Sequence, residues 1–139
     1  MQDVITAFPF VPVGSPDLAK NEQDFILPAQ TKHLTLLYGD RDSFYYHVFD
    51  EYLKAKGIDC DDRLLIQSIE AIKLSAMSNL GIAFLPRFCV EKELAQKRLI
   101  ELPADMPASC IDAVISYHKN KWISPAMELF IRLVKEHLL

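Results

Sequence analysis

The sequence has 139 residues, 50% of them hydrophobic and 24% charged, which suffices for one domain with a real core. Its formal net charge of −4, with no cluster of Lys and Arg, has the wrong sign for neutralising phosphates and argues against direct nucleic-acid binding by this stretch. Cys60, Cys89 and Cys110 are too few and too widely spaced for a disulfide framework or a zinc site, no apolar run has the length of a membrane span, and the N-terminus lacks the basic start and apolar run of a signal peptide.

Residues 1 to 14 carry Phe8, Phe10, Val11 and Val13 interrupted by Pro9 and Pro12. Because proline donates no ladder hydrogen bond, this predicts an edge or crossing strand rather than a central one. Gly14-Ser15-Pro16-Asp17 is a turn, with a surface role the simplest reading for Ser15 and Asp17. Lys20 to Lys32 reads as a polar connection around Phe25-Ile26-Leu27-Pro28, and Leu34 to Tyr38 as the next strand. After the loop Gly39-Asp40-Arg41-Asp42-Ser43, the residues Phe44, Val48, Phe49, Tyr52 and Leu53 recur on one face of a helix capped by Ser43 and closed by Gly57. Tyr45 and Tyr46 read as packing residues. Asp59, Asp61 and Asp62 around Cys60 lack the spacing and glycine of a calcium loop and read as a solvated turn.

Residues 63 to 86 carry the densest pattern. Leu64, Leu65 and Ile66 form a short apolar run of the kind buried on both faces of a parallel sheet. Ser68 stands where a helix should begin, and Ile69, Ile72, Ala76, Met77 and Leu80 follow at helical spacing, with Glu70, Lys73 and Asn79 facing water or a neighbour. Gly81 should close the helix in the left-handed conformation, and Ile82 to Leu85 form another strand ended by Pro86. A strand, helix, strand unit of this kind implies a right-handed crossover with the helix N-terminus at the carboxyl edge of a sheet, where free N–H groups and a partial positive charge face a crevice. Ser68 is a helix cap, with or without a ligand contact, and the residues alone leave both open.

After Pro86, Arg87 to Lys97 reads as helix, Leu99 to Leu102 as a short strand, and the segment holding Pro103 and Pro107 as a loop. Ile111 to His118 reads as a strand with Ile111, Ala113, Ile115 and Tyr117 on one face. Ser124 and Pro125 open a final helix whose stripe is Met127, Phe130, Ile131, Val134 and Leu138. His33, His47, His118 and His137 are scattered, and with four glycines in all there is no G-x-S-x-G, P-loop or G-x-G-x-x-G. No catalytic residue, metal site or cofactor is therefore expected.

The run SIEAIKLSAMSNLGIAFLP, together with FVPVGSPDLA at 10 to 19, the strand and helix at 34 to 57, KRLIELP at 97 to 103 and SPAMELFIRLVKEHL at 124 to 138, resembles the effector-binding domain of LysR-type transcriptional regulators. The resemblance implies an α/β fold like a type 2 periplasmic-binding-protein lobe, a mixed and mostly parallel sheet flanked by helices. It implies that 1–139 is a partial effector-binding domain, with about 17–110 as the second lobe and with 1–16 and 111–139 as hinge crossings and the remnant of the first lobe. The family's winged helix-turn-helix and most of its first lobe have no counterpart here, so DNA would be reached only through that missing part. The family's cleft loop maps onto Gly39, Arg41 and Ser43, although Asp40 and Asp42 depart from its usual composition and would allow Arg41 to be paired internally rather than free to clamp a carboxylate. With Ser68 at the second helix start and Leu85 and Pro86 as an apolar wall, these are the expected contacts of a small, anionic effector in an interlobe cleft. A cytoplasmic regulator that associates with itself is the implied setting. The alternatives are an exported solute-binding protein that feeds a transporter and a non-binding fragment that dimerises through exposed faces.

Overall fold

The computed structural model describes residues 2–107 and 110–137. Their contacts divide the chain into a larger unit, residues 10–109, and a smaller one made of residues 1–9 and 110–139.

The larger unit is a five-stranded sheet. Its strands are residues 10–14 of β1 (Gln2–Gly14), then β2 (Gln30–Tyr38), β3 (Ile58–Leu65), β4 (Gly81–Pro86) and β5 (Ile100–Glu101), in the order β3-β2-β4-β1-β5. β2 pairs in parallel with both β3 and β4, whereas β1 is antiparallel to β4 and β5. The helices are α1 (Lys20–Gln23), α2 (Phe44–Lys56), α3 (Ile69–Met77) and α4 (Arg87–Ala95). Side chains that alternate along the strands sort into two clusters. Phe10, Leu36 and Phe84 pack with Phe49, Tyr52 and Leu53 of α2. Their neighbours Val11, Leu37, Ala83 and Leu85 pack with Ile72 and Ala76 of α3 and Val90 of α4. Since successive strand residues point to opposite faces, α2 covers one face of the sheet and α3 with α4 the other. Right-handed crossovers require this, because β2 to β3 steps outward and β3 to β4 steps back across β2.

Several local expectations change. β1 is no edge strand over residues 10–14: Val11 and Val13 are buried between β4 and β5, and Pro12, lacking a donor, still accepts the Leu102 N–H at 2.8 Å. β2 begins at Gln30 rather than Leu34, and of the Phe25-Ile26-Leu27 run only Phe25 is buried. β3 begins at Ile58, so Asp59, Asp61 and Asp62 lie in a strand rather than a turn. It is the edge strand, which is why acidic residues suit it and why Leu64 and Leu65 are 41% and 42% exposed instead of buried on both sides. Gly81 does not close α3. Asn79 takes the left-handed conformation, φ 63°, and Gly81 lies in the ladder opposite Thr35, where a Cβ would be driven into the Thr35 carbonyl. Gly57 does close α2, with φ 69° and its N–H on the Leu53 and Lys54 carbonyls.

In the smaller unit, residues 2–9 of β1 pair antiparallel with β6 (Cys110–Ser116), accompanied by α5 (Pro125–His137). Ser124 caps α5 through the Met127 N–H at 3.3 Å, and Lys135 pairs with Asp3 at 3.2 Å. None of the side chains described in this unit is fully buried. Trp122 is 77% exposed and Phe130 62%. Leu138, the last residue of the expected stripe, lies outside the described residues. No helix among the described residues is long and apolar enough to cross a membrane.

Candidate functional site

The carboxyl ends of β2, β3 and β4 lie along one edge of the larger unit's sheet, with Tyr38 opposite Leu65 in the parallel ladder. From this edge β2 sends its loop to α2 on one face, whereas β3 and β4 send theirs to α3 and α4 on the other. Adjacent connections that part in this way leave a crevice, and it is there that open α/β sheets take ligands.

Ser68 opens α3 in an extended conformation, and its Oγ accepts the Ala71 N–H at 3.3 Å, as its position predicts. Ser43 stands at the corresponding place before α2 but does not cap it. Its hydroxyl donates to the Asp40 carbonyl at 2.9 Å, and α2 has neither a side-chain cap nor an acidic residue in its first turn. The two starts belong to one edge: the Ile66 N–H donates to the Tyr38 carbonyl at 2.8 Å, and a Cβ on Gly39 would sit 3.6 Å from the Ile66 carbonyl and 3.5 Å from Ile72. Gly39 is half-buried and forms the floor between them.

Arg41 is exposed and is not paired with Asp40 or Asp42. Asp40 takes the Asp42 N–H at 3.0 Å, and Arg41 Nε donates to the Tyr38 hydroxyl at 3.2 Å, a bond that raises its pKa further. Leu85 is 2% exposed and lines, with Gly39, Tyr45 and Ile72, a cavity of about 10 Å3, at the lower limit for one water. Pro86 is likewise buried, immediately before α4. Leu85 and Pro86 therefore support the edge from below. The apolar surface at this edge comes from Phe44, Leu65, Ile69 and Phe88, all more than 40% exposed.

Arg63 and Asp50 carried no sequence signal, and Tyr46, read from sequence as a packing residue, joins them in a polar network. Tyr46 stacks on Tyr38 with ring centroids 4.7 Å apart, and its hydroxyl accepts from Arg63 Nη1 at 2.8 Å. Arg63 also lies 2.6 Å from Asp50, whose carboxylate meets Lys54 at 2.8 Å. Burial alone would raise the Asp50 pKa, but the two cations outweigh it and hold the carboxyl below its ordinary range. Tyr45 packs on Phe10 at 5.2 Å, as a packing residue should.

Larger hollows lie elsewhere. One of about 340 Å3, at the amino end of β4, includes Glu22, His33 and Asp61, but Glu22 Oε2 is engaged by the His33 N–H at 3.1 Å and Asp61 by the His33 ring at 3.1 Å. Another of about 490 Å3 lies in the smaller unit beside α5, its surface chiefly apolar. Among the described residues no group of three or more His, Cys, Asp or Glu could hold a metal ion. Cys60 is a half-buried thiol, its pKa pushed up to about 11 by desolvation.

Comparison with known proteins gives a consistent result. The LysR substrate binding domain family matches residues 2–139. The HTH-type transcriptional regulator YfiE of Escherichia coli K12, itself described as uncharacterized, is 34% identical over 124 residues, 89% of this chain and 42% of that protein. The similarly described YwqM of Bacillus subtilis 168 is 34% identical over 126 residues, 86% of this chain and 42% of that protein. The chain thus spans less than half the length of these curated relatives. Among solved structures, the regulatory domain of Salmonella typhimurium HypT in a bromide-bound form superposes with a TM-score of 0.73 at 23% identity, covering 98% of this chain and 63% of that one. The CcmR regulatory domain of Synechocystis PCC6803 in complex with 2-PG gives 0.73 at 18% identity, covering 98% and 65%. At these identities the likeness establishes the fold.

Proposed function

The chain belongs to the LysR substrate-binding domain family, a family of regulatory domains and not an enzyme class, and from that premise we propose that it senses a small effector at the carboxyl edge of the larger unit's sheet. In the intact regulator, binding at this edge would change transcription through a DNA-binding part outside this chain, in the cytoplasm. The observation that carries the reading is the meeting of two helix starts over Gly39, one capped by Ser68 and the other, at Ser43, left without a side-chain cap. Arg41, free of its acidic neighbours, adds a cation suited to an anionic effector. The CcmR domain in complex with 2-PG and the HypT domain with bromide ion are ligand-bound examples of this fold, which supports the effector-binding part of this reading. A transport role is disfavoured because both curated relatives are described as HTH-type transcriptional regulators.

Ser68→Ala is expected to weaken effector binding by about 1 kcal/mol, close to fivefold. Calorimetry of the full-length regulator, with an effector drawn from a panel of carboxylates and phosphate esters, measures it. Equal affinity in both proteins would remove Ser68 from the site.

We also propose self-association, supported by the smaller unit. A two-stranded ladder and one helix with no fully buried side chain among the described residues are not self-sufficient, and Trp122, Leu129, Phe130 and Leu133 present apolar surface. Sedimentation velocity on the 139-residue chain is expected to show a weight-average mass rising with concentration, and Phe130→Glu should suppress the rise. A monomer at every concentration would overturn this.

A further inference from the structure

The segment by which the chain leaves the larger unit is held by α2 and not by the sheet. β5 ends at Glu101, Leu102 still donates its N–H to the Pro12 carbonyl at 2.8 Å, and the next strand, β6, begins at Cys110. Beyond Leu102, the Pro103 carbonyl accepts the Phe25 N–H at 2.9 Å, and Ala104 forms an isolated bridge with Phe25. Phe25 and Asp105 are in turn tied to the last two turns of α2. The buried Tyr52 hydroxyl donates to the Phe25 carbonyl and accepts the Asp105 N–H at 2.9 Å, and Lys56 reaches the Asp105 carboxylate at 3.5 Å. A phenol has one proton to give and lone pairs to receive, so this hydroxyl is satisfied only while α2, Phe25 and the exit segment stay together. At its other end α2 starts on the effector edge, with no side-chain cap at Ser43. The helix between is well seated. Phe49 and Leu53 are 1% exposed in the core, and at 1.5 Å per residue Tyr52 lies about 12 Å along the axis from Phe44.

We propose that the Tyr52 hydroxyl is a latch through which α2 acts on the exit segment: what displaces the first turn of α2 also displaces residues 103–106, which lead to β6. A packed helix shifts as a body when one end is pushed, and here the far end carries the bond to Asp105. With the effector as the displacing agent the latch rests on the site proposed above, and it gives that site a route to the point where the chain leaves the larger unit. Phenylalanine in place of Tyr52 would fill the same space and keep the core packing of α2. Its hold on Asp105 would then fall to the ion pair with Lys56, whose carboxylate partner is exposed and screened by water.

The test needs no ligand. Ser43→Asp gives α2 the anionic cap it lacks and so perturbs its first turn directly. In spectra of the 15N-labelled 139-residue chain it is expected to shift the amides of Tyr45 and Tyr46 and also that of Asp105. With Tyr52→Phe added, the shifts at Tyr45 and Tyr46 should persist while the one at Asp105 vanishes. Tyr52→Phe by itself should speed hydrogen exchange at the Asp105 amide about tenfold relative to the Leu102 amide, because only the first loses its acceptor. Val90→Ala, which opens a cavity in the cluster on the other face of the sheet, should leave that ratio unchanged. An Asp105 amide indifferent to Ser43→Asp in the otherwise native chain, an equal response with and without the hydroxyl, or an exchange ratio unmoved by Tyr52→Phe each overturn the latch. None of these outcomes bears on the effector edge itself, which the calorimetry of Ser68→Ala decides.

Discussion

Gly81→Ala is expected to destabilise the larger unit by about 3 kcal/mol or more, the upper range for forcing extra atoms into a packed interior. The cause is local and specific. Gly81 opens β4 directly opposite Thr35 of β2, and its Cα approaches that strand so closely that an added methyl would meet the Thr35 carbonyl oxygen, carbonyl carbon and Cβ together. All three belong to the backbone or to the first atom of the side chain, so no rotamer change relieves the clash. Neither strand can retreat, because β2 is held by β3 on its other side and β4 by β1. Gly39→Ala provides the contrast: the nearest atoms to its added methyl lie at 3.5 and 3.6 Å, ordinary contact distances, and stability should change by no more than about 0.5 kcal/mol. Urea unfolding of the two variants and the parent measures both. A Gly81→Ala midpoint equal to that of the parent would mean that the β2 and β4 register is not as described.

Gly81 also shows where sequence reading stops. A glycine after a helical run is most simply a helix terminator, and only the tertiary pairing with Thr35 reveals a second need for a missing side chain, while Asn79 takes the terminating role. The edge strand was hidden for a related reason. Ile58 to Asp62 is too polar to announce a strand, because an edge strand exposed to water resembles a loop in composition, and the following leucines then read as interior when they lie exposed at the crevice. What was legible is what depends on neighbours in the chain: the strand, helix, strand order of residues 63 to 86, the Ser68 and Ser124 caps, and the Gly57 closure. The Ser43 position was legible but its bond was not, since the Asp40 carbonyl competes for the same hydroxyl. The Tyr38, Tyr46 and Arg63 contacts needed the register that puts Arg63 opposite Leu36, and nothing local encodes that.

The same limit applies to Lys73, which sequence assigns to water or a neighbour and which lies buried between α3 and α4. Its Nζ is 2.9 Å from Glu93 Oε1 and 3.2 Å from Glu70, and the Lys73 and Glu93 side chains are 9% and 10% exposed. Among the described residues Glu93 Oε2 has no hydrogen-bond partner, and Lys73 is the chief support of this carboxylate's charge. Lys73→Met should therefore strand a buried anion and cost about 3 kcal/mol at pH 7, roughly 10 °C in Tm. Adding Glu93→Leu should recover most of that loss, because an apolar pair of similar volume replaces a buried ion pair at little cost. The pH dependence separates this from simple loss of packing. The hydrogen bond from Lys73 outweighs burial and holds the Glu93 pKa below its ordinary 4.5. In the parent the stabilisation is thus complete above that value and is lost as pH falls through the lower folded value. Without Lys73, burial is opposed only by a backbone hydrogen bond and the charge of Arg98, so the Glu93 pKa rises relative to the parent's, the variant's folded state takes up a proton at higher pH than the parent's does, and its deficit relative to the parent should shrink as pH falls from 7 toward 4. At the alkaline end, burial opposes the Lys73 charge but its carboxylate partners prevail and raise its pKa, so the parent's advantage persists until pH exceeds the ordinary lysine range. Thermal unfolding of parent, single and double variants between pH 4 and 8 gives all three curves; a deficit of Lys73→Met that stays constant across that range would show that Glu93 is not stranded and that the lysine contributes packing alone.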